Sequence, residues 1–171
     1  EMEIQTEIDC AVGIKDNISR LKQIAEDGEH IVLISDMYLN SHIIRKILVS
    51  VDKVFESIPI YVSNECGCTK YTGELFLYVK EREKISLSKW THYGDNEISD
   101  VQSPQKLGIR AIGLKKSDLL PWEKEFGEQN SLETNAYWQL YTGIARTLRQ
   151  NRKMTSAEEI GASIGGMILY P

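Results

Sequence analysis

Two carboxylates follow a short strand-like segment near the middle of the chain, and a glycine precedes the first of them. Residues 92–100 read HYGDNEISD, so that Asp95 comes directly after Gly94 and Asp100 lies one helical turn further on. Hard cations such as Mg²⁺ take oxygen ligands, usually one or two carboxylates together with water and a substrate phosphate. Asp95 is therefore a candidate Mg²⁺ ligand, and Asp100 is a candidate support for the same ion.

Two other segments place polar groups after short apolar runs. The run Ile31–Ile34 ends at Ser35 and Asp36, and the run at residues 60–62 leads into a loop that contains Lys70. A hydroxyl with adjacent backbone amides can bind phosphate oxygens, and a lysine can neutralise the charge that develops as a phosphoryl group moves. Together with Asp95, these groups predict a crevice that holds an anion, a cation and a metal ion.

Strand-like and helical segments alternate along residues 14–114. The apolar spacing predicts helices over residues 14–27, after a cap at Ser41, around Leu75, Phe76 and Val79, and in a short stretch that closes at Gly108. It predicts strands at residues 31–34, 60–62, 90–93 and 111–114. This alternation is typical of an α/β fold with a doubly wound parallel sheet, whose site lies beyond the carboxyl ends of the strands.

Composition is ordinary for a globular protein and excludes several functional classes. The chain has 171 residues and a formal net charge of −5, so no basic field favours nucleic acid or an anionic membrane. No apolar run has the length of a membrane span, and no secretory signal is visible. Three cysteines are few and odd in number, which fits a reducing cytoplasm. After Pro121 a long amphipathic stripe predicts a helical appendage over residues 121–171.

Three segments occur in an order that resembles the haloacid dehalogenase-like (HAD) superfamily of phosphotransferases. The segment IVLISDMYL (residues 31–39) resembles the second motif of a branch found in bacterial proteins associated with surface-polysaccharide assembly. The segment IYVSNECGCTK (residues 60–70) resembles the third motif, and HYGDNEISD resembles the fourth. The resemblance covers roughly residues 14–115, and the three motifs in order are more specific than any one alone.

The resemblance implies roles for these positions. Ser35, Lys70 and Asp95 would be the catalytic residues; Ser35, Asp36 and Lys70 would contact the substrate; Asp95 and Asp100 would serve the Mg²⁺ ion. The implied fold is a HAD-like Rossmannoid parallel sheet flanked by helices, over about residues 1–120. The implied activity is Mg²⁺-dependent hydrolysis of a phosphate monoester through an aspartyl-phosphate. The implied substrate is a phosphorylated small molecule, and a sugar phosphate follows only from the branch of the family.

The chain departs from the family pattern at the first motif. That motif, Asp-x-Asp-x-Thr or a variant, supplies the nucleophile and the general acid–base, and nothing in residues 1–29 has that form. We therefore interpret the sequence as an excerpt of a longer cytoplasmic bacterial protein, with the tail of a cap at about residues 1–17, and expect it to be inactive by itself.

In the family the missing strand is central in the sheet, between the strands that precede Ser35 and Asp95. A sheet without its middle member either closes the gap or exposes backbone groups that need partners. We expect the two strands to pair directly, or the slot to be filled by a second copy or by other parts of the longer chain.

Three alternatives remain open. In a different alignment, Asp36 belongs to the first motif and Ser63 to the second; a metal shared by Asp36 and Asp95 would establish it. The chain could instead be a non-catalytic scaffold or regulatory module of a glycan-assembly protein. A zinc site at Cys66, Cys68 and His92 is disfavoured, because no second cysteine or histidine pair has ligand spacing.

Overall fold

A computed structural model describes residues 2–114, together with residues 142, 143, 147 and 151. The chain divides into two compact units, the first formed by Glu1–Gly13 with Ile18–Lys115 and the second by Ile14–Asn17 with Lys116–Pro171. The helical appendage predicted over residues 121–171 lies outside the described residues, apart from the last four positions named above, which are helical. In the described part of the chain, no helix combines the length and the hydropathy that crossing a membrane requires.

Short helices and strands alternate through the first unit. The helices are α1 (Met2–Cys10), α2 (Lys15–Glu26), α3 (Ser41–Val51), α4 (Ser63–Cys66), α5 (Glu74–Glu83) and α6 (Ser103–Lys106). The strands are β1 (Leu33–Ser35), β2 (Ile60–Val62), β3 (Thr91–Gly94) and β4 (Arg110–Gly113). A π-helical turn, Glu97–Gln102, connects β3 to α6. Each predicted strand is present, and its ends differ from the prediction by no more than two residues.

All strand pairing in the described residues is parallel. Strand β1 pairs with β2, so that Ser35 lies opposite Val62, and β3 pairs with β4, so that Gly94 lies opposite Gly113. The α/β class predicted from the sequence is confirmed. The four strands form two separate two-stranded sheets rather than one, and β1 does not pair with β3. The expectation of direct pairing is therefore wrong; each of these two strands keeps one edge without a strand partner in the described part of the chain.

Helix α5 joins the two sheets through the hydrophobic core. Its residues Leu75, Phe76 and Val79 are each 0% exposed, and they cluster with Trp90 and Ile109, which precede β3 and β4. Ile34 of β1 and Tyr61 of β2 pack against the same cluster. The two sheets are thus held side by side by side-chain packing on α5, which needs no hydrogen bonds between them.

Helix α3 begins differently from the sequence expectation. The cap is Asn40, whose side-chain oxygen accepts a hydrogen bond from the Ile43 amide at 2.9 Å, and Ser41 is already the first helical residue. Asparagine and serine cap helices almost equally well, so the sequence alone could not decide whether Asn40 or Ser41 is the cap. Ser41 instead directs its hydroxyl to Glu65 at 3.2 Å.

Candidate functional site

The loops that follow β1 and α4 meet at the carboxyl ends of the first sheet. Asp36 directly follows β1, and its two carboxylate oxygens accept hydrogen bonds from the Lys70 backbone amide at 2.9 and 3.1 Å. The Ser63 hydroxyl accepts a hydrogen bond from the Met37 amide at 3.1 Å, and this bond ties the loop after β1 to the first residue of α4. The lysine is therefore presented by a backbone that is anchored to the strand carrying Ser35.

The Lys70 side chain reaches from this loop to the second sheet. Its Nζ atom lies 2.5 Å from Oδ1 of Asp100, and the two side chains are only 12% and 5% exposed. Such a shielded ion pair is not screened as a surface pair is, and removing one partner would leave an uncompensated charge. The structure thus brings together two residues that are separated by 30 positions in the sequence and were predicted to serve one site.

Three donors surround the Asp100 carboxylate. Oδ1 also lies 3.1 Å from Nε2 of His92, and Oδ2 accepts a hydrogen bond from the Asn96 amide at 3.0 Å. Burial alone raises the pKa of Asp100, but the hydrogen bonds from His92, Lys70 and the Asn96 amide outweigh that effect and hold the pKa well below its usual range. Asp100 is therefore ionised at neutral pH and can only accept hydrogen bonds.

The turn between β3 and α6 fixes where this carboxylate lies. Asn96 caps the π-helical turn, and its side-chain oxygen accepts from the amides of Ile98 and Ser99, both at 3.0 Å. Gly94 lies directly beneath Asp100, since a Cβ atom built at Gly94 would come within 2.3 Å of Asp100 Cγ. Glycine is required here because only a residue without a side chain lets the buried carboxylate approach the strand end so closely.

Asp95 and Ser35 take different positions from this buried network. Asp95 follows β3 at its carboxyl end and is exposed, and Ser35 ends β1 and is half-buried. The described residues offer no hydrogen-bond partner to either side chain. The predicted site residues therefore form a bonded group of Asp36, Lys70 and Asp100, while Ser35 directly precedes Asp36 and Asp95 lies five positions before Asp100.

The donor set fits Mg²⁺ in part. Asp95 presents an exposed carboxylate, as a Mg²⁺ ligand must, whereas the oxygens of Asp100 already accept bonds from Lys70, His92 and Asn96. Within residues 2–114, no three or more histidine, cysteine or acidic side chains converge as a metal cluster would require. Mg²⁺ commonly takes only one or two protein carboxylates and completes its shell with water and phosphate, so a single exposed carboxylate such as that of Asp95 is compatible with this ion.

A shallow groove of about 490 Å³ opens beside the Asp36–Lys70 contact. The loop after β1, helix α4 and the loop after α4 line it, through Asp36, Met37, Tyr38, Ser63, Asn64, Gly67, Cys68 and Thr69. Asn64 donates a hydrogen bond to the Tyr38 carbonyl at 2.9 Å and so holds the two walls together.

Cys66 and Cys68 are free thiols, and burial raises the pKa of both.

His92 belongs to this network, although the sequence analysis named it only as part of a disfavoured zinc site. Its ring is 8% exposed and packs edge to face on Phe76, with ring centroids 5.0 Å apart. The sequence feature that could have identified His92 is its position in β3, two residues before Gly94. Alternation along a strand places residues 92 and 94 on one face, and a buried polar ring on that face needs a partner.

Comparisons with protein-family models and with curated proteins found no match to this chain.

Proposed function

We propose that this chain is part of a Mg²⁺-dependent phosphohydrolase of the HAD-like superfamily. The intact protein would hydrolyse a phosphate monoester through an aspartyl-phosphate. The observation that supports this most strongly is the Lys70 ammonium, held at 2.5 Å by the buried Asp100 where the carboxyl ends of two parallel sheets meet. A lysine fixed by a buried carboxylate at that edge is a preorganised partner for phosphate oxygens.

Each side chain then has a defined task. The Lys70 ammonium offsets negative charge on the phosphoryl group, and because Asp100 fixes it, little reorganisation is needed when that charge develops. The Ser35 hydroxyl and the amides that follow β1 bind phosphate oxygens, and Asp36 orders the Lys70 loop through the Lys70 amide. Asp95 would hold Mg²⁺, which would neutralise phosphate charge from the other side when bound.

The nucleophilic aspartate of this mechanism has no candidate with the required motif in residues 1–29. We propose that it comes from a strand outside the given sequence. Within the described part of the chain, β1 and β3 each have one edge without a strand partner, which supports this, since parallel strands are normally paired on both sides within a buried sheet. The 171-residue chain alone should therefore show no turnover.

The test is hydrolysis of p-nitrophenyl phosphate by the intact protein with Mg²⁺. Asp95→Asn should lower kcat by at least about 100-fold, because the charge that holds the metal is lost. Glu97→Gln is the matched control: it removes an exposed carboxylate only two residues away and should leave the rate within about twofold. Equal rates for the wild type and Asp95→Asn would eliminate the proposed metal role.

One observation favours a second candidate, a non-catalytic module of a glycan-assembly protein. The carboxylates of Asp36 and Asp100 both accept hydrogen bonds from groups of this chain, and of the three carboxylates only that of Asp95 has no hydrogen-bond partner among the described residues. This candidate predicts that the full-length sequence also lacks paired aspartates, and that the intact protein binds phosphate without hydrolysing it. Sequencing upstream of Glu1 separates the two candidates directly.

A further inference from the structure

His92 is a buried polar side chain to which the proposed chemistry assigns no task. Its imidazole is 8% exposed and lies against the Phe76 ring inside the α5 core. An apolar residue would fill this space without the cost of burying a polar group. The histidine therefore needs an explanation in terms of the hydrogen bonds that its ring nitrogen atoms form.

The geometry at Asp100 shows the hydrogen-bond partner of one ring nitrogen, Nε2. Nε2 of His92 lies 3.1 Å from Oδ1 of Asp100, the same oxygen that contacts Nζ of Lys70 at 2.5 Å. Because Asp100 is ionised, it can only accept, so Nε2 must carry the hydrogen and donate it. The carboxylate thus joins a ring that is buried against Phe76 to an ammonium on a flexible side chain.

The three donors around Asp100 differ in how firmly each is held in place. Lys70 has four rotatable side-chain bonds and loses considerable entropy when it is held in one geometry. The Asn96 amide restrains Oδ2. His92, on β3 and packed against Phe76, is the restraint on Oδ1 that does not depend on Lys70 itself. Without it, the Asn96 amide is the remaining backbone restraint on rotation of the carboxylate about its Cβ–Cγ bond, and the ammonium is held less firmly.

We propose that His92 is a positioning residue, whose Nε2–H fixes the Asp100 carboxylate so that Asp100 directs the Lys70 ammonium toward the carboxyl ends of β1 and β3. Its consequence for turnover rests on the proposed phosphohydrolase function. The effect of His92 on the placement of Lys70 does not depend on that function. It can be measured on the 171-residue chain.

Two substitutions separate the hydrogen bond from the packing. His92→Phe keeps an aromatic ring against Phe76 and removes the donor. His92→Gln gives up the ring but places an amide Nε2–H at nearly the same reach as the imidazole nitrogen. A purely structural role predicts that phenylalanine is the better replacement, whereas the positioning role predicts that glutamine is.

The first measurement is the acetylation rate of Lys70 by N-hydroxysuccinimidyl acetate, followed by peptide mass spectrometry, with the exposed Lys89 as internal reference. A held and shielded ammonium reacts slowly. His92→Phe should raise the Lys70 rate by at least about fivefold relative to Lys89, the equivalent of losing one hydrogen bond. His92→Gln should stay within about twofold of the wild type. No change in His92→Phe, or an equal rise in both variants, would overturn the proposal.

Folding of each variant is checked by circular dichroism. If His92→Phe does not fold, His92→Asn replaces it, because its shorter amide cannot reach the Nε2 position. Faster acetylation of Lys70 in His92→Asn than in His92→Gln supports the proposal, and equal rates overturn it.

The second measurement is p-nitrophenyl phosphate turnover by the intact protein with Mg²⁺. His92→Phe should lower kcat by about tenfold with KM changed less than about twofold, and His92→Gln should recover most of the loss. If acetylation follows the expected pattern but the wild type shows no turnover, the positioning of Lys70 holds and the phosphohydrolase function is eliminated. If turnover is robust but neither kcat nor acetylation responds to His92→Phe, the positioning role is wrong and the phosphohydrolase stands.

Discussion

Helices α3 and α5 both carry several apolar residues, but the two helices have very different surroundings. In α5, Leu75, Phe76 and Val79 are completely buried and form the centre of the core. In α3, which contacts β2, no residue is buried, and its apolar residues are all half-buried (Ile43, Ile44, Ile47, Leu48, Val49 and Val51). The difference shows that an amphipathic pattern predicts a helix, whereas the surface opposite decides how much that helix buries.

Polar contacts hold α3 where packing is incomplete. Arg45 donates hydrogen bonds to the carbonyls of Phe55, Glu56 and Ile58 at 2.8, 2.7 and 2.9 Å, and Asn40 caps the first turn. Strand β1 is similar to α3 in this respect, because its three residues are half-buried although its sequence is typical of a buried strand. Within the described part of the chain, the α5 side is thus completely buried, whereas the α3 side is only partly covered.

The largest expected effect tests the core side. Phe76→Ala removes a completely buried ring that contacts both Trp90 and His92, and should lower the free energy of unfolding by about 3–5 kcal/mol. Ile44→Ala on α3 should lower it by no more than about 1 kcal/mol, because its side chain is only half-buried. Urea denaturation measures both. Equal losses would mean that the two helices contribute similarly and that the comparison is wrong.

An intermediate effect concerns the charge network built on the core side. Because hydrogen bonds hold the pKa of folded Asp100 below that of the unfolded chain, its stabilisation is present above about pH 4 and is lost as the pH falls. Asp100→Asn should cost about 2–3 kcal/mol at pH 7. It should also flatten the fall in unfolding free energy between about pH 5 and pH 2, measured by urea denaturation at each pH. Parallel pH curves for the two proteins would contradict this assignment.

The smallest effect tests the α3 side. Asn40→Ala should cost about 1 kcal/mol, since the first turn of α3 loses the acceptor for the Ile43 amide. Ser41→Ala is the neighbouring control and should cost less than about 0.5 kcal/mol, because the exposed contact of Ser41 with Glu65 contributes little. Thermal unfolding compares them. A larger loss at Ser41 would restore the cap position expected from the sequence.

Local patterns were enough to predict the strands and much of the candidate site. Ser35, Lys70 and Asp95 could be selected because short apolar runs end close before them, and the carboxyl ends of parallel strands share one edge of a sheet. Side-chain partners could not be predicted in the same way. The contacts of Lys70 with Asp100 and of His92 with Asp100 depend on how two sheets pack on α5, which no local spacing encodes.

The sequence by itself therefore determined the alternation of strands and helices, the parallel pairing, and which polar residues follow the strand ends. These features arise from short-range periodicity and from the chain geometry of a strand–helix–strand unit. Only the tertiary structure decided that the strands form two sheets, that α5 rather than α3 anchors the core, and that Asp100 holds Lys70. Those outcomes depend on the burial of side chains far apart in the sequence, where desolvation and packing select one arrangement among many that the same local pattern allows.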